Sequence, residues 1–413
     1  MSPQQSSSSL VQSAADLTFR DEVRRFYAEN LTLEFRRAAR LVTWVCSEFE
    51  FGRRWQKILH SKGWGAPHWP VEYGGCDWTP AQRHIWEEET ALANPPEVMM
   101  MGRDLCAPCI MEFGTPEQKA YFLPRLLAGD DWWAQGYSEP GAGSDLAALQ
   151  MRADSDGDDY ILNGSKIWTT YAQHSNRIFC LVRTSTGERK QQGITFLLVD
   201  MDTPGIEVRP LINIAGEHEF NQVFFSNARV PKSRRLGAEN EGWSVARYLL
   251  RYEHSGGGGR GSIEMRRRFS WLQEIANLES DGQGGALSGD PDFSRKLAEI
   301  AITIDAMEFA TEQAYAATIQ GGPPPPSMPL LKIRSREIMQ RMTELAMEAT
   351  AYYGAPFQPH ARRVENTEPY VGAEHALLAM PLYLSQRALT IAGGTPEIRR
   401  NNLAKSLLGL KST

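Results

Sequence analysis

The sequence predicts an α+β chain with a helical first stretch, a strand-rich middle and a helical last stretch. Three observations carry this. Apolar residues recur at three and four positions up to about residue 130, and again from about residue 239. Between them they form short runs separated by Gly, Asp and Asn. With 413 residues the chain is long enough for two or three domains. The expected boundaries are a flexible start at 1–16, an N-terminal helical domain at 17–131, a central β domain at 132–238 and a C-terminal helical domain at 239–413.

In the first stretch, Phe19, Val23 and Phe26 share one helical face, as do Trp55, Ile58 and Leu59. Thr115-Pro116-Glu117-Gln118 is a helix start, with Pro at the first position and acid just after, leading into Tyr121, Phe122, Leu126 and Leu127. Gly63 to Pro70 interrupts the helices as a rigid loop, and its Trp64 and Trp69 are expected to fill a domain seam rather than line a channel. In the middle, Tyr160–Leu162, Arg177–Val182, Ile194–Val199, Ile206–Val208 and Phe220–Phe225 read as strands. Asn163-Gly164 is expected to form a hairpin turn, and the regular spacing suggests a compact antiparallel barrel or sandwich.

In the last stretch, Phe293, Leu297, Ile300, Ile304, Met307 and Ala314 form a helical stripe, and Leu330 to Ala351 a second helix. Gly321 to Pro326, with four prolines, reads as a stiff extended loop between them rather than a partner ligand. Gly282 to Asp290 is a Gly-rich surface loop. Gly256 to Gly261 (G-G-G-G-R-G) does not sit between a strand and a helix, so it reads as a helix bend and not as a dinucleotide loop.

Composition narrows the function classes. Lys+Arg 44 against Asp+Glu 50 leaves a net charge of −6, without the basic stripe that nucleic acid requires. Met1 to Leu10 has neither the basic nor the apolar part of a secretion signal, and no apolar run is long enough to span a bilayer; a cytoplasmic protein is expected. The five cysteines, Cys46, Cys76, Cys106, Cys109 and Cys180, are odd in number and scattered, which favours reduced thiols. Cys106-Ala-Pro-Cys109 has no second CxxC and no histidine pair at ligand spacing, so no metal is expected and the two thiols read as small core residues.

Three segments carry the chemistry. Tyr137 to Asp145 (Y-S-E-P-G-A-G-S-D) is a tight loop with a hydroxyl at each end, Ser138 and Ser144. Gly141 and Gly143 leave its backbone N–H groups open to a ligand. Lys166 to Thr170 (K-I-W-T-T) sets an indole beside two hydroxyls at the end of a strand, a surface suited to a flat ring with polar edges. Near the other end, Ile391 to Asn401 (I-A-G-G-T-P-E-I-R-R-N) is a glycine turn opening a helix, a place where phosphate can sit.

These segments, in this order, resemble the acyl-CoA dehydrogenase family, from about Phe19 to Leu410. Trp132 to Asp145 and Ala246 to His254 (A-R-Y-L-L-R-Y-E-H) are similar to its pimeloyl-CoA dehydrogenase large-subunit group. The resemblance implies an N-terminal helical domain, a central β-barrel or sandwich and a C-terminal four-helix bundle. It also implies non-covalently bound FAD and a reaction that introduces a 2,3-double bond into an acyl-CoA thioester. By resemblance, Ser138 and Thr170 contact the flavin ring edge with Trp168 beside it, and Tyr137, Gly143, Ser144 and Thr169 belong to the same cofactor set. Ser144 is also similar to the serine on the CoA arm, and Gly394, Thr395 and Glu397 match cofactor positions near the C-terminus.

Many members carry their catalytic base as a Glu in that C-terminal turn. Here the matching residue is Gly393, which cannot take a proton and is expected to make room for substrate. A subset supplies the Glu from an earlier helix, and Glu253 stands there, with His254 in place of the relatives' Arg and assigned to substrate. Read without the resemblance, Glu253 is a solvated helix residue. The family's adenine-end motif matches Ser262 to Phe269 only loosely, so Arg266, Arg267 and Arg268 receive no cofactor role. The implied partners are an electron-transfer flavoprotein or similar acceptor and either three identical chains or a sister subunit in a tetramer. Two other readings stay open: a non-catalytic or half-site subunit of a hetero-oligomer, and a flavin monooxygenase or oxidase of the same fold.

Overall fold

The computed structural model describes residues 13–43, 48–255, 258–319 and 328–410. Elements are numbered in chain order. The first are α1 (Ala14–Asn30), α2 (Leu33–Arg40), α3 (Phe49–Ser61), α4 (Pro80–Ala93), α5 (Ala107–Phe113) and α6 (Pro116–Ala128). Strands β1 (Trp133–Gly136), β2 (Arg152–Asp156), β3 (Asp159–Thr170), β4 (Arg177–Arg183), β5 (Ile194–Asp200), β6 (Ile206–Ile212), β7 (His218–Pro231) and β8 (Arg235–Leu236) follow. Then come α7 (Gly242–Ser255), α8 (Gly258–Leu278), α9 (Pro291–Ile319), α10 (Met328–Thr350), α11 (Ala379–Ser385) and α12 (Pro396–Leu408). Side-chain caps set several helix starts. Ser13, Thr79 and Thr115 each form a reciprocal capping box with the residue three positions on, and Thr115 before Pro116 is the start read from the sequence.

The described residues fall into two compact units that cut across chain order. A sheet unit takes 44–77 and 96–256; a helix unit takes 1–43, 78–95 and 257–413. The first helical stretch is thus divided: α1, α2 and α4 join the later helices, while α3, α5 and α6 join the sheet. The helix α7 also stays with the sheet, because Val245, Ala246 and Leu249 are buried against Phe196 and Leu236.

In the sheet unit the strands run in the order β6-β7-β3-β2-β4-β5-β8, mostly antiparallel, with β1 parallel to β4. β4 and β5 are buried on both faces. Phe179, Leu181, Phe196 and Leu198 pack with α5, α6 and α7. Ile178, Cys180, Val182, Leu197 and Val199, on the opposite face, pack with Tyr160, Leu162, Val223 and Phe225 of β3 and β7. That double burial is why these two strands read as unbroken apolar runs, whereas β3 and β7 alternate. Trp64 and Trp69 are buried within this unit, and the Trp69 indole donates to the Arg103 carbonyl (3.0 Å).

Asn163-Gly164 is not the expected hairpin turn. It lies inside β3 at a bulge, where Gly164 has φ +144° and a Cβ would stand 3.0 Å from the Met151 Cα. The hairpin turns instead at Gly157-Asp158, between the paired residues Asp156 and Asp159. The glycine at 164 answers a close backbone approach, a demand with the same residue signature as a turn.

In the helix unit α8, α9 and α10 surround one core that includes Met265, Phe269, Phe293, Leu297, Ile304 and Leu345. Arg20 of α1 pairs with the buried Glu88 (2.6 Å) and Glu89 of α4, tying the two helices together. Arg266 pairs with Asp305 and Glu308 of α9, and Arg268 with Glu264 (3.6 Å), so this basic cluster has carboxylate partners of its own. Cys46, the proline loop at 321–326 and Gly256-Gly257 lie outside the described residues. Cys106 and Cys109 are buried core residues, and burial pushes the Cys109 thiol up to about 12 and that of Cys106 well above its ordinary value.

Gly242, the first residue of α7, sits against the backbone of β5: a Cβ there would lie 2.5 Å from the Phe196 nitrogen. Gly242→Ala is expected to destabilise the chain by about 1–3 kcal/mol through overpacking, read as a thermal midpoint lower by several degrees. An unchanged midpoint would show that α7 docks elsewhere.

Candidate active site

The loop and the strand end singled out in the sequence meet in the sheet unit. The Ile167 N–H donates to the Ser138 carbonyl (2.9 Å), which sets the Tyr137–Asp145 loop beside Lys166–Thr170. Within the loop, Glu139 and Ala142 exchange backbone hydrogen bonds (2.9 and 3.0 Å). Tyr137 is buried, Ser138 is half-buried, and Gly143 and Ser144 are exposed. Neither Gly141 nor Gly143 has a positive φ, and a Cβ on either would enter open space. The chain itself therefore does not require glycine at these positions, which is the pattern expected where a ligand passes close to the backbone.

The strand end is strained and open. Trp168 lies at a bulge of β3 with φ +59°, an uncommon conformation for a bulky side chain, and is 62% exposed. The ring of Phe220 meets it edge-on at 6.1 Å. Thr170 is half-buried, whereas Thr169 is fully buried and its hydroxyl has no hydrogen-bond partner among the described residues. An exposed indole held in a strained backbone, beside an unmet buried hydroxyl, fits a planar polar group bound there.

Sequence reasoning quoted Glu139 and Lys166 only as letters of their motifs. In the structure they are the join between the motifs. The fully buried Lys166 ammonium donates to Glu139 Oε1 (2.7 Å) and to the Tyr137 carbonyl (3.3 Å). Glu139 also accepts from the N–H groups of Gln150 (2.7 Å) and Met151 (3.0 Å). Burial, the largest effect, pushes the Lys166 ammonium below its ordinary range, against the pull of Glu139. At the far end of the loop, Arg183 donates to the carbonyls of Ala147 (2.9 Å) and Leu149 (3.1 Å) and to that of Gln192 (2.6 Å). Both ends of the loop are thus anchored by a cation.

Glu253 and His254 lie near the end of α7, in the sheet unit; their side chains are outside the described residues. The buried face of α7 shares its core with Tyr137, Ala142 and Leu149, so the helix and the loop are parts of one packed body.

Gly393, Gly394, Thr395 and Glu397 belong to the helix unit. Gly393 and Gly394 have φ of +59° and +90°, so both positions favour glycine. Arg336 donates to the carbonyls of Ala392 (2.9 Å) and Gly394 (3.0 Å), and Arg399 to those of Gly393 and Gly394. Thr395 is the N-cap of α12, accepting from the Ile398 N–H (3.3 Å). The backbone N–H of Glu397 itself, then the Thr395 hydroxyl, hold the Glu397 carboxyl below its ordinary range. Thr395 and Glu397 therefore already serve the helix start.

The acyl-CoA dehydrogenase N-terminal domain matches residues 13–130, the middle domain 134–228 and the C-terminal domain 240–408. The chain is 35% identical over 398 residues to the acyl-CoA dehydrogenase IpdE1 of Mycobacterium tuberculosis, covering 95% of this chain and 97% of that one. It is 31% identical over 408 residues to the acyl-CoA dehydrogenase FadE26 of the same organism, covering 95% and 96%. Among solved structures, a chain of the ChsE4-ChsE5 complex from Mycobacterium tuberculosis superposes with a TM-score of 0.79 at 28% identity, over 98% of this chain and all of that one. The protein belongs to the acyl-CoA dehydrogenase family, a family of flavoprotein oxidoreductases. Among the described residues no helix is long and apolar enough to cross a membrane.

The open space beside the loop glycines gives a direct test. Gly141→Ala and Gly143→Ala are expected to leave the unfolding free energy of the ligand-free chain within about 0.5 kcal/mol of the parent's, since neither Cβ meets the protein. Each should weaken FAD binding in a fluorescence titration. Unchanged affinity in both would mean that nothing is bound along this loop.

Proposed function

We propose that the protein is an FAD-dependent acyl-CoA dehydrogenase that forms a 2,3-double bond in an acyl-CoA thioester. The observation that carries the reading is the join of Ser138 to Ile167, which sets a hydroxyl-edged loop with two open glycines beside an exposed, strained Trp168. Bound FAD would accept the β-hydride of the acyl chain. The chain's own residues do the rest. Ser138 and Thr170 would hold the polar edge of the ring with Trp168 beside it, Tyr137, Gly143, Thr169 and Ser144 would belong to the same cofactor set, and Ser144 would also serve the CoA arm. Glu253 would take the α-proton, and His254 and Gly393 keep the substrate role that the resemblance assigns to each. Gly394, Thr395 and Glu397 keep the cofactor role that the resemblance assigns them.

The resemblance assigns the base to Glu253, and two observations support that reading. Gly393 has no carboxylate, and Glu253 lies on α7, whose buried face packs in the same core as the loop. A carboxylate closed into an apolar pocket gains basicity, which suits proton abstraction from a weakly acidic carbon. A bulky ring-bearing acyl group is the first substrate class to try, because the structurally similar Tcur3481-Tcur3483 protein, at 28% identity and a TM-score of 0.78, is a steroid ACAD. The ChsE4-ChsE5 complex and the Tcur3481-Tcur3483 protein are each named for two chains, which supports a second arrangement in which this chain works with a sister subunit, as in a heterotetramer. Electrons would leave through an electron-transfer flavoprotein or a similar acceptor in the cytoplasm.

Glu253→Gln preserves shape but cannot accept a proton. It is expected to keep FAD and acyl-CoA binding and to slow flavin reduction by about 10²–10⁴-fold or more. Anaerobic stopped-flow bleaching with a saturating, turned-over acyl-CoA reads this, with any co-purifying sister subunit present. Parent-like bleaching in the variant would place the base elsewhere; a parent protein that takes up no flavin under those conditions would overturn the cofactor assignment itself.

A further inference from the structure

Two charges are buried where the candidate flavin loop meets its strand, and neither was assigned a part in the chemistry. Lys166 is fully buried and the Glu139 side chain is 9% exposed. Burying an ion pair costs desolvation that its attraction repays only when the remaining hydrogen-bonding groups are also satisfied. Here they largely are. The ammonium reaches Glu139 and the Tyr137 carbonyl, and the carboxylate also takes two backbone N–H groups from Gln150 and Met151. The four contacts bind three separate pieces of chain: the loop entrance at 137–139, the two residues just before β2 at 150–151, and β3 just before its second bulge. A well-packed apolar pair would fill the same space but would not fix the direction of these three backbones, because dispersion contacts have no directional requirement.

We propose that the Glu139–Lys166 pair is a positioning device for the cofactor site: it sets the register between Ser138 on the loop and Trp168–Thr170 on the strand. Lys166 lies two residues before the strained Trp168, and Glu139 directly follows Ser138. The pair therefore acts through its neighbours. It touches neither substrate nor cofactor in this account, and its work is to keep two candidate ring contacts at one separation. The bulge between Lys166 and Thr169 interrupts the β3–β7 ladder beside Trp168, so the pair adds a tie there to the Ile167–Ser138 hydrogen bond and to the pairing that resumes at Thr169.

The proposal rests on the reading that flavin sits at this loop, so its test includes a readout that needs no flavin. The full-length variants are Glu139→Gln, Lys166→Met and the two combined. Each single change leaves one buried charge without its partner and is expected to lower the thermal midpoint. The combined variant removes both charges and should recover most of that midpoint. A pair that only supports the fold predicts that FAD affinity recovers with it. A positioning pair predicts that FAD affinity stays weaker by about tenfold or more, the size expected for loss of a charge-assisted hydrogen bond, with an altered visible flavin spectrum.

In the ligand-free protein, the Ala142 and Ile167 amides should exchange hydrogen faster in the combined variant than in the parent, because they donate to the backbone carbonyls of Glu139 and Ser138, whose positions the pair holds. Recovery of both midpoint and FAD affinity, or parent-like exchange at those two amides, overturns the proposal. If the parent binds no flavin, the functional reading fails and the exchange measurement alone decides this one.

Discussion

The sheet unit depends on the burial of β4 and β5 on both faces. One face of this pair packs with α5, α6 and α7, and the other with the inner residues of β3 and β7. Everything proposed to act on the cofactor in this unit hangs from one of those two layers. The Tyr137 loop leaves β1, which pairs with β4; the Trp168 strand end belongs to β3; and α7, which carries Glu253, is held on the opposite layer by Val245, Ala246 and Leu249. Because the middles of β4 and β5 are apolar and buried on both sides, neither layer can slide without exposing core, and the separation between loop, strand end and helix is inherited from that packing.

Much of the architecture was legible from local chemistry. Thr115-Pro116 announced α6 because a cap and a proline at the first turn satisfy orphan backbone groups with no help from the rest of the fold. The strands were legible because their burial is written as alternation or as unbroken apolar runs. The grouping of helices was not. Whether α4 packs on α8 or on α6, and whether α7 belongs with the sheet, is decided by long-range packing that leaves no local mark beyond an apolar face. Asn163-Gly164 failed for a related reason. Glycine marks a backbone demand, and the demand at φ +144° with Met151 close by was a bulge and not a reversal.

The candidate site was legible in its motifs but not in its mechanics. The hydroxyls, the indole and the open glycines could be named from their residue types, since those types are what a ring edge and a backbone approach require. That Glu139 and Lys166 pair with each other could not, because they stand far apart in sequence and each has an ordinary role on a surface. Burial changes their meaning: a lysine with no solvent exposure must have partners, and its partners turn out to be the entrance of the loop.

The same distinction alters how Gly393 is to be understood. From sequence it is an absence, a position where many relatives keep a carboxylate and this chain has none. In the structure it is also a conformational requirement. Its φ of +59° lies where a side chain costs roughly 1–2 kcal/mol, and the next residue, Gly394, is left-handed as well. Arg336 and Arg399 hold the carbonyls of Ala392, Gly393 and Gly394, so the turn is fixed in this form by groups outside it. A glutamate placed at 393 would have to pay that strain or pull the turn away from both guanidinium groups. The clamped left-handed turn therefore disfavours any side chain at 393, and a carboxylate there could not keep the conformation that Arg336 and Arg399 hold.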